Sequence, residues 1–210
     1  MTTGGAGFKS IRLAINTLFG ITEIPTIDVS GRTDCAILRD LFDCLQLEFD
    51  QHISPFSELY WEHLPNSLAQ TEGRLLPGVR ELLSHLDVHP NVSVGILTGN
   101  SRRAADIKLR HFDLQAYFQF GGFGDHHACR NDVAQLAWQS AREFLGQRFD
   151  PGKVWVIGDT IHDIRCARAI GAFAVAVETG GSPVGELQAA RPDAQFESLL
   201  DGSFLTLFEK

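Results

Sequence analysis

From Phe8 to Phe19, Ile11, Leu13, Ala14 and Leu18 fall at helical spacing, and Thr33–Leu45 repeats the pattern with Ala36, Ile37, Leu41 and Leu45. A third stretch of this kind covers Pro55–Leu68. Together they predict a helical subdomain over residues 8–75, in which the Gly31-Arg32-Thr33-Asp34 turn offers Thr33 or Asp34 as the cap of the next helix. After Leu76-Pro77-Gly78 the period shortens. Helix Val79–Leu86 leads into an apolar strand Val92–Leu97, then Thr98-Gly99-Asn100 and helix Arg102–His111. Strand Tyr117–Phe123, helix Asn131–Leu145, strand Lys153–Ile157, helix Ile164–Ile170 and strand Ala172–Val177 complete the series. Strands alternating with helices predict an α/β domain with a parallel sheet and right-handed crossovers over residues 76–210.

Composition adds limits. The 210 residues are 44% hydrophobic and 21% charged, enough for a medium domain with a smaller subdomain. A net charge of −8 with scattered Lys and Arg disfavours a nucleic-acid surface, so an anionic substrate needs a local positive site and a metal ion. No apolar span is long enough to cross a membrane. Cys35, Cys44, Cys129 and Cys166 form no C-x-x-C pair and no zinc spacing, which points to a reducing cytoplasm. His126, His127 and Cys129 share one loop but are better read as structural than as a metal site.

The chemistry concentrates where strands end. Val154-Trp-Val-Ile-Gly-Asp-Thr-Ile-His-Asp163 runs an apolar strand into Asp159 and, four residues on, Asp163 at the start of a helix. Open α/β sheets bind ligands at the carboxyl ends of their strands, and two carboxylates there suit a divalent cation. The plainer alternative is that both merely favour a helix N-terminus. Thr98-Gly99-Asn100 offers a hydroxyl and backbone N–H groups to phosphate oxygens, and Arg130, at the start of the helix after the intervening strand, adds a fixed positive charge.

In this order the groups resemble the haloacid dehalogenase-like hydrolase superfamily along almost the whole chain. Ile96-Leu-Thr-Gly-Asn100 looks like the second motif of that family, Arg130 stands in the place of the third, and Gly158-Asp-Thr-Ile-His-Asp163 with Ala167 and Gly171-Ala172 looks like the fourth. The helical segment with Gly31–Asp34 is similar to the cap of the phosphoglycolate phosphatase-like branch. The resemblance implies a Rossmann-like core with an inserted helical cap, Mg²⁺ held by Asp159 and Asp163, and hydrolysis of a small phosphorylated metabolite. Thr98 with Gly99 and Asn100 would bind the phosphoryl group, and Arg130 would offset its charge. Arg32 is a candidate contact to the organic part of the substrate. Because the third motif usually carries Lys-Pro, Lys108 is a reserve for the role of Arg130.

The family's nucleophile lies in an Asp-x-Asp-Gly-Thr sequence on a first, central strand, and no such run occurs here. The expectations are therefore a late start codon or a truncated product, a sheet lacking its central strand, and no turnover by these residues alone. A non-catalytic binding protein is the rival from another class, and dehalogenase or phosphonatase chemistry stays open within the family. The sequence carries no signal for oligomeric state.

Overall fold

The structure, a computed structural model, describes residues 1–180, 182–204 and 207. It divides into two compact units, Met1–Leu75 with Gly99–Gln115 and Gly124–Ala128, and Leu76–Thr98 with Ala116–Phe123 and Cys129–Lys210.

The first unit is helical: α1 (Ala6–Phe19), α2 (Asp34–Cys44), α3 (Phe49–Ala69) and α5 (Arg102–His111), with α4 (Val79–Asp87) falling outside it. The helical segment expected over 8–75 thus shares its unit with α5. The reason is apolar: Ala104 and Ile107 of α5 join Ile15, Leu41, Phe42, Phe56 and Leu64 in one core. Thr33 is the N-cap of α2 and accepts the Ala36 N–H at 3.1 Å. Helix α3 begins six residues before the expected start at Pro55, leaving Pro55 and Pro65 inside it. An interior proline costs a helix one hydrogen bond. The early turns are nevertheless held by rings, since Phe42 meets Phe49 edge-on at 5.6 Å and Phe56 at 5.4 Å.

The second unit carries the strands. Strands β1 (Gly95–Leu97) and β2 (Phe120–Gly122) pair in parallel, as do β3 (Trp155–Gly158), β4 (Phe173–Val177) and β5 (Ala194–Phe196) in the order β3-β4-β5. Among the described residues no ladder joins β1 to β3. The first two strands are shorter than the apolar runs that predict them. Gly95 pairs with Phe120, whose ring fills the space a side chain at 95 would take, and Gln115–Tyr117 is a 3₁₀ turn instead of strand.

Helices α4, α6 (Arg130–Leu145), α7 (Ile161–Ile170) and α8 (Val184–Ala189) complete this unit. Alternate residues of β4 serve two cores. Ala174 and Ala176 pack with Ile164, Ala167 and Leu187, while Val175 and Val177 pack with Leu82, Leu86 and Phe204. A strand buried on both faces is the arrangement of a parallel α/β sheet. Helix α8 and strand β5 lie beyond the last element expected from periodicity. No helix among the described residues is long and apolar enough to cross a membrane.

Candidate active site

In the second unit, Asp159 follows the last residue of β3 directly, and Asp163 lies in the first turn of α7, which opens at Ile161 rather than Ile164. Two glycines admit these carboxylates. A side chain at Gly180 would occupy the place of the Asp159 carboxylate, and one at Gly158 would collide with Asp163. The Ser182 N–H donates to the Asp159 main-chain carbonyl at 3.2 Å, fixing the two loops together.

Both Asp163 oxygens are engaged. Arg130 Nη2 donates to Oδ1 at 2.7 Å, while the Thr160 N–H and hydroxyl donate to Oδ2 at 3.1 and 2.8 Å. The helix-capping alternative for Asp163 is therefore realised, with an arginine added to it. Arg130 and Asp163 side chains are each only 15% exposed, so the pair is desolvated enough to be held in place. Among the described residues the guanidinium Nε–H, a buried donor, has no acceptor. Behind it the Cys166 thiol donates to the Arg130 carbonyl at 3.3 Å, and burial pushes that thiol above its ordinary range, against the pull of Arg130. Thr98 directly follows β1, its N–H donating to the Gly122 carbonyl at 3.1 Å. Among the described residues no three His, Cys, Asp or Glu side chains cluster as a metal site.

In the first unit, the Gly31–Asp34 turn docks on the Gly99–Ser101 loop. Asp34 donates its N–H to the Gly99 carbonyl and accepts the Ser101 N–H on Oδ2, both at 2.7 Å. Asp125 accepts the Arg102 N–H at 3.0 Å, so two carboxylates take the first free amides of α5. Those amides are spoken for. Lys108 Nζ donates to Asn100 Oδ1. Burial pushes the Asp34 carboxyl up, against Lys108, and pushes Lys108 down, against Asp34. Arg32 is paired with Asp40 at 2.8 Å and donates to the Ala36 carbonyl at 3.3 Å, so its guanidinium ties α2 to the turn before it.

Asp34, Asp125 and Lys108 are the residues that periodicity undervalues. Asp34 looks like a cap for its own helix but caps one that begins 68 residues later, and no local signal reports such a contact.

The profile of haloacid dehalogenase-like hydrolases matches residues 20–171. The chain belongs to the haloacid dehalogenase-like hydrolase family. It is 32% identical over 133 residues to a phosphoglycolate phosphatase of Synechococcus elongatus, a match covering 61% of this chain and 57% of that protein. The chain thus spans little more than half the length of that relative. Among solved folds, this chain superposes on a hydrolase from Pseudomonas syringae with a TM-score of 0.68 at 23% identity, covering 97% of this chain and 91% of the other. CbbY from Rhodobacter sphaeroides, solved in complex with phosphate, gives a TM-score of 0.74 at 16% identity over 99% of this chain and 93% of that one. At such identities the likeness is one of fold, and it places this chain with Rossmann-like α/β phosphatase structures.

Proposed function

We propose that this hydrolase acts on small phosphate monoesters in the manner of a phosphoglycolate phosphatase, with Mg²⁺ as its metal. The observation that carries the reading is Arg130. Its guanidinium is held by Asp163 on one nitrogen and keeps a buried Nε–H with no acceptor among the described residues. A buried donor left unsatisfied costs about 1–3 kcal/mol, and an anionic oxygen is the group that satisfies it best. Thr98, directly after β1, contacts the phosphoryl group, while Arg130 offsets its charge.

The donors fit Mg²⁺, which takes one or two carboxylates and keeps several waters. Asp159 is the direct ligand. Asp163, already bound to Arg130 and Thr160, orients the loop around it and contributes less. The metal supplies positive charge against the phosphoryl oxygens when bound.

A binding role without turnover is the second reading, and one observation favours it. No Asp-x-Asp-Gly-Thr run occurs in the 210 residues, and aspartyl-phosphate chemistry needs a carboxylate nucleophile. On that second reading the chain binds without hydrolysing. Calorimetry with inorganic phosphate and Mg²⁺, beside hydrolysis of p-nitrophenyl phosphate, separates the two. Turnover by this chain removes the second reading, binding alone supports it, and the absence of both defeats either.

A further inference from the structure

We propose that the cavity beside Tyr60 and Asp34 in the helical unit is a binding site for a small neutral alcohol, a hydroxyl carried on a short apolar chain or ring. The cavity holds about 400 Å³, within the range of small-molecule sites, and is lined by Leu38, Phe49, Trp61, Tyr60, Asp34 and Ser101.

Its polar groups are incompletely used. Tyr60 is 4% exposed, and its hydroxyl makes no hydrogen bond among the described residues, although the oxygen is not sealed from solvent. The cavity is where that hydroxyl reaches a partner. Asp34 accepts the Ser101 N–H on Oδ2 and a further hydrogen bond from the Ser101 side chain, which leaves acceptor lone pairs to spare on its two oxygens. Trp61 Nε1 donates to Ser101 Oγ at 3.2 Å, which holds the aromatic wall against this cluster. One alcohol group can engage both, giving its proton to a remaining lone pair of Asp34 and accepting one from Tyr60.

Charge selects among ligands. Lys108 Nζ and the Tyr60 hydroxyl converge on the open face of Gly7, at 3.7 and 3.8 Å from where its Cβ would stand. Lys108 already offsets the charge of Asp34, so a cationic ligand gains little at that carboxylate. Asp34, Asp50, Glu58 and Asp125 line the cavity against the single cation Arg39, whose guanidinium lies over the Phe49 ring at 4.3 Å, so a carboxylate ligand is repelled. A neutral hydroxyl remains, with Leu38, Phe49 and Trp61 for its apolar part.

The test needs no turnover. Benzyl alcohol, toluene, benzylamine and benzoate are titrated into the full chain, followed by ligand-observed saturation transfer and by the Trp61 indole N–H resonance. Benzyl alcohol is expected to bind near millimolar Kd, as suits a fragment of its size, and toluene at least tenfold more weakly, since it leaves the Tyr60 hydroxyl without a partner. Tyr60→Phe, with its amide spectrum checked against wild type, is expected to weaken benzyl alcohol about tenfold and leave toluene unchanged. Failure of benzyl alcohol to bind the wild-type chain overturns the proposal. So does equal binding of toluene, tighter binding of benzylamine or benzoate, or a folded Tyr60→Phe that binds benzyl alcohol as before.

Discussion

Arg130 Nη2 and Asp163 Oδ1 lie 2.7 Å apart, joining the first residue of α6 to the first turn of α7. Each side chain is mostly buried, so each is the other's main neutralising charge. Such a pair stabilises less than its Coulomb energy suggests, but losing one member strands the other.

Arg130→Ala is therefore expected to lower unfolding free energy by about 1–3 kcal/mol and to weaken inorganic phosphate at least tenfold, since a charge-assisted donor is lost. Chemical denaturation and calorimetry read the two effects. Arg130→Lys should recover part of the affinity and little of the geometry. If Lys108→Ala abolishes phosphate binding while Arg130→Ala spares it, the charge-offsetting role belongs to Lys108.

Asp159→Asn is expected to raise the Mg²⁺ concentration needed for half-maximal thermal stabilisation at least tenfold, because a hard cation loses an anionic oxygen. Asp163→Asn should cost stability without Mg²⁺ and shift the Mg²⁺ midpoint less. Equal Mg²⁺ midpoints for Asp159→Asn and wild type would remove Asp159 as a ligand.

Gly99→Ala tests the docking of the Gly31–Asp34 turn. A Cβ at Gly99 meets the Arg32 carbonyl and the Thr33 Cα, which are backbone and cannot swing aside. Overpacking of this kind costs about 1–3 kcal/mol, read as a lowered Tm. Gly185→Ala is the contrast. It sits in α8 with nothing near its missing side chain, so helix propensity should raise stability by about 0.5–1 kcal/mol.

Asp193 gives a pH signature. Arg168 grips it with two nitrogens, at 2.6 and 3.1 Å, and the Ala174 N–H donates to it at 2.7 Å. The Arg168 hydrogen bonds, aided by the Ala174 N–H, hold its carboxyl below the ordinary value of 3.8. A depressed carboxyl favours the folded state above its unfolded value and loses that advantage as pH falls through the lower folded one. Asp193→Asn should thus cost about 1 kcal/mol at neutral pH, modest because the pair is partly exposed. The difference from wild type should shrink once pH drops below about 3.8. A difference that stays constant from pH 7 to pH 3 would exclude the mechanism.

Local pattern alone was enough for the α/β class, the helical first segment, the bounds of Arg102–His111 and the Thr33 cap, because each rests on spacing or on a side chain bonding within a few residues of itself. The strand-end positions of Thr98 and Asp159 were legible for the same reason, as was the candidacy of Arg130. Short strands and late elements were not. Apolar runs mark what can be buried, whereas Gly95 against Phe120 and the close backing of Gly122 by Val133 and Ala137 decide where ladders form.

Only the tertiary structure decided the partners of charges. Asp163 binds an arginine 33 residues away, Asp34 caps a helix on the far side of α3 in sequence, and α5 joins the helical unit through Ala104 and Ile107. These are long-range choices, made by which apolar surfaces pack and which buried charges must then find an opposite. Residue spacing carries no record of them.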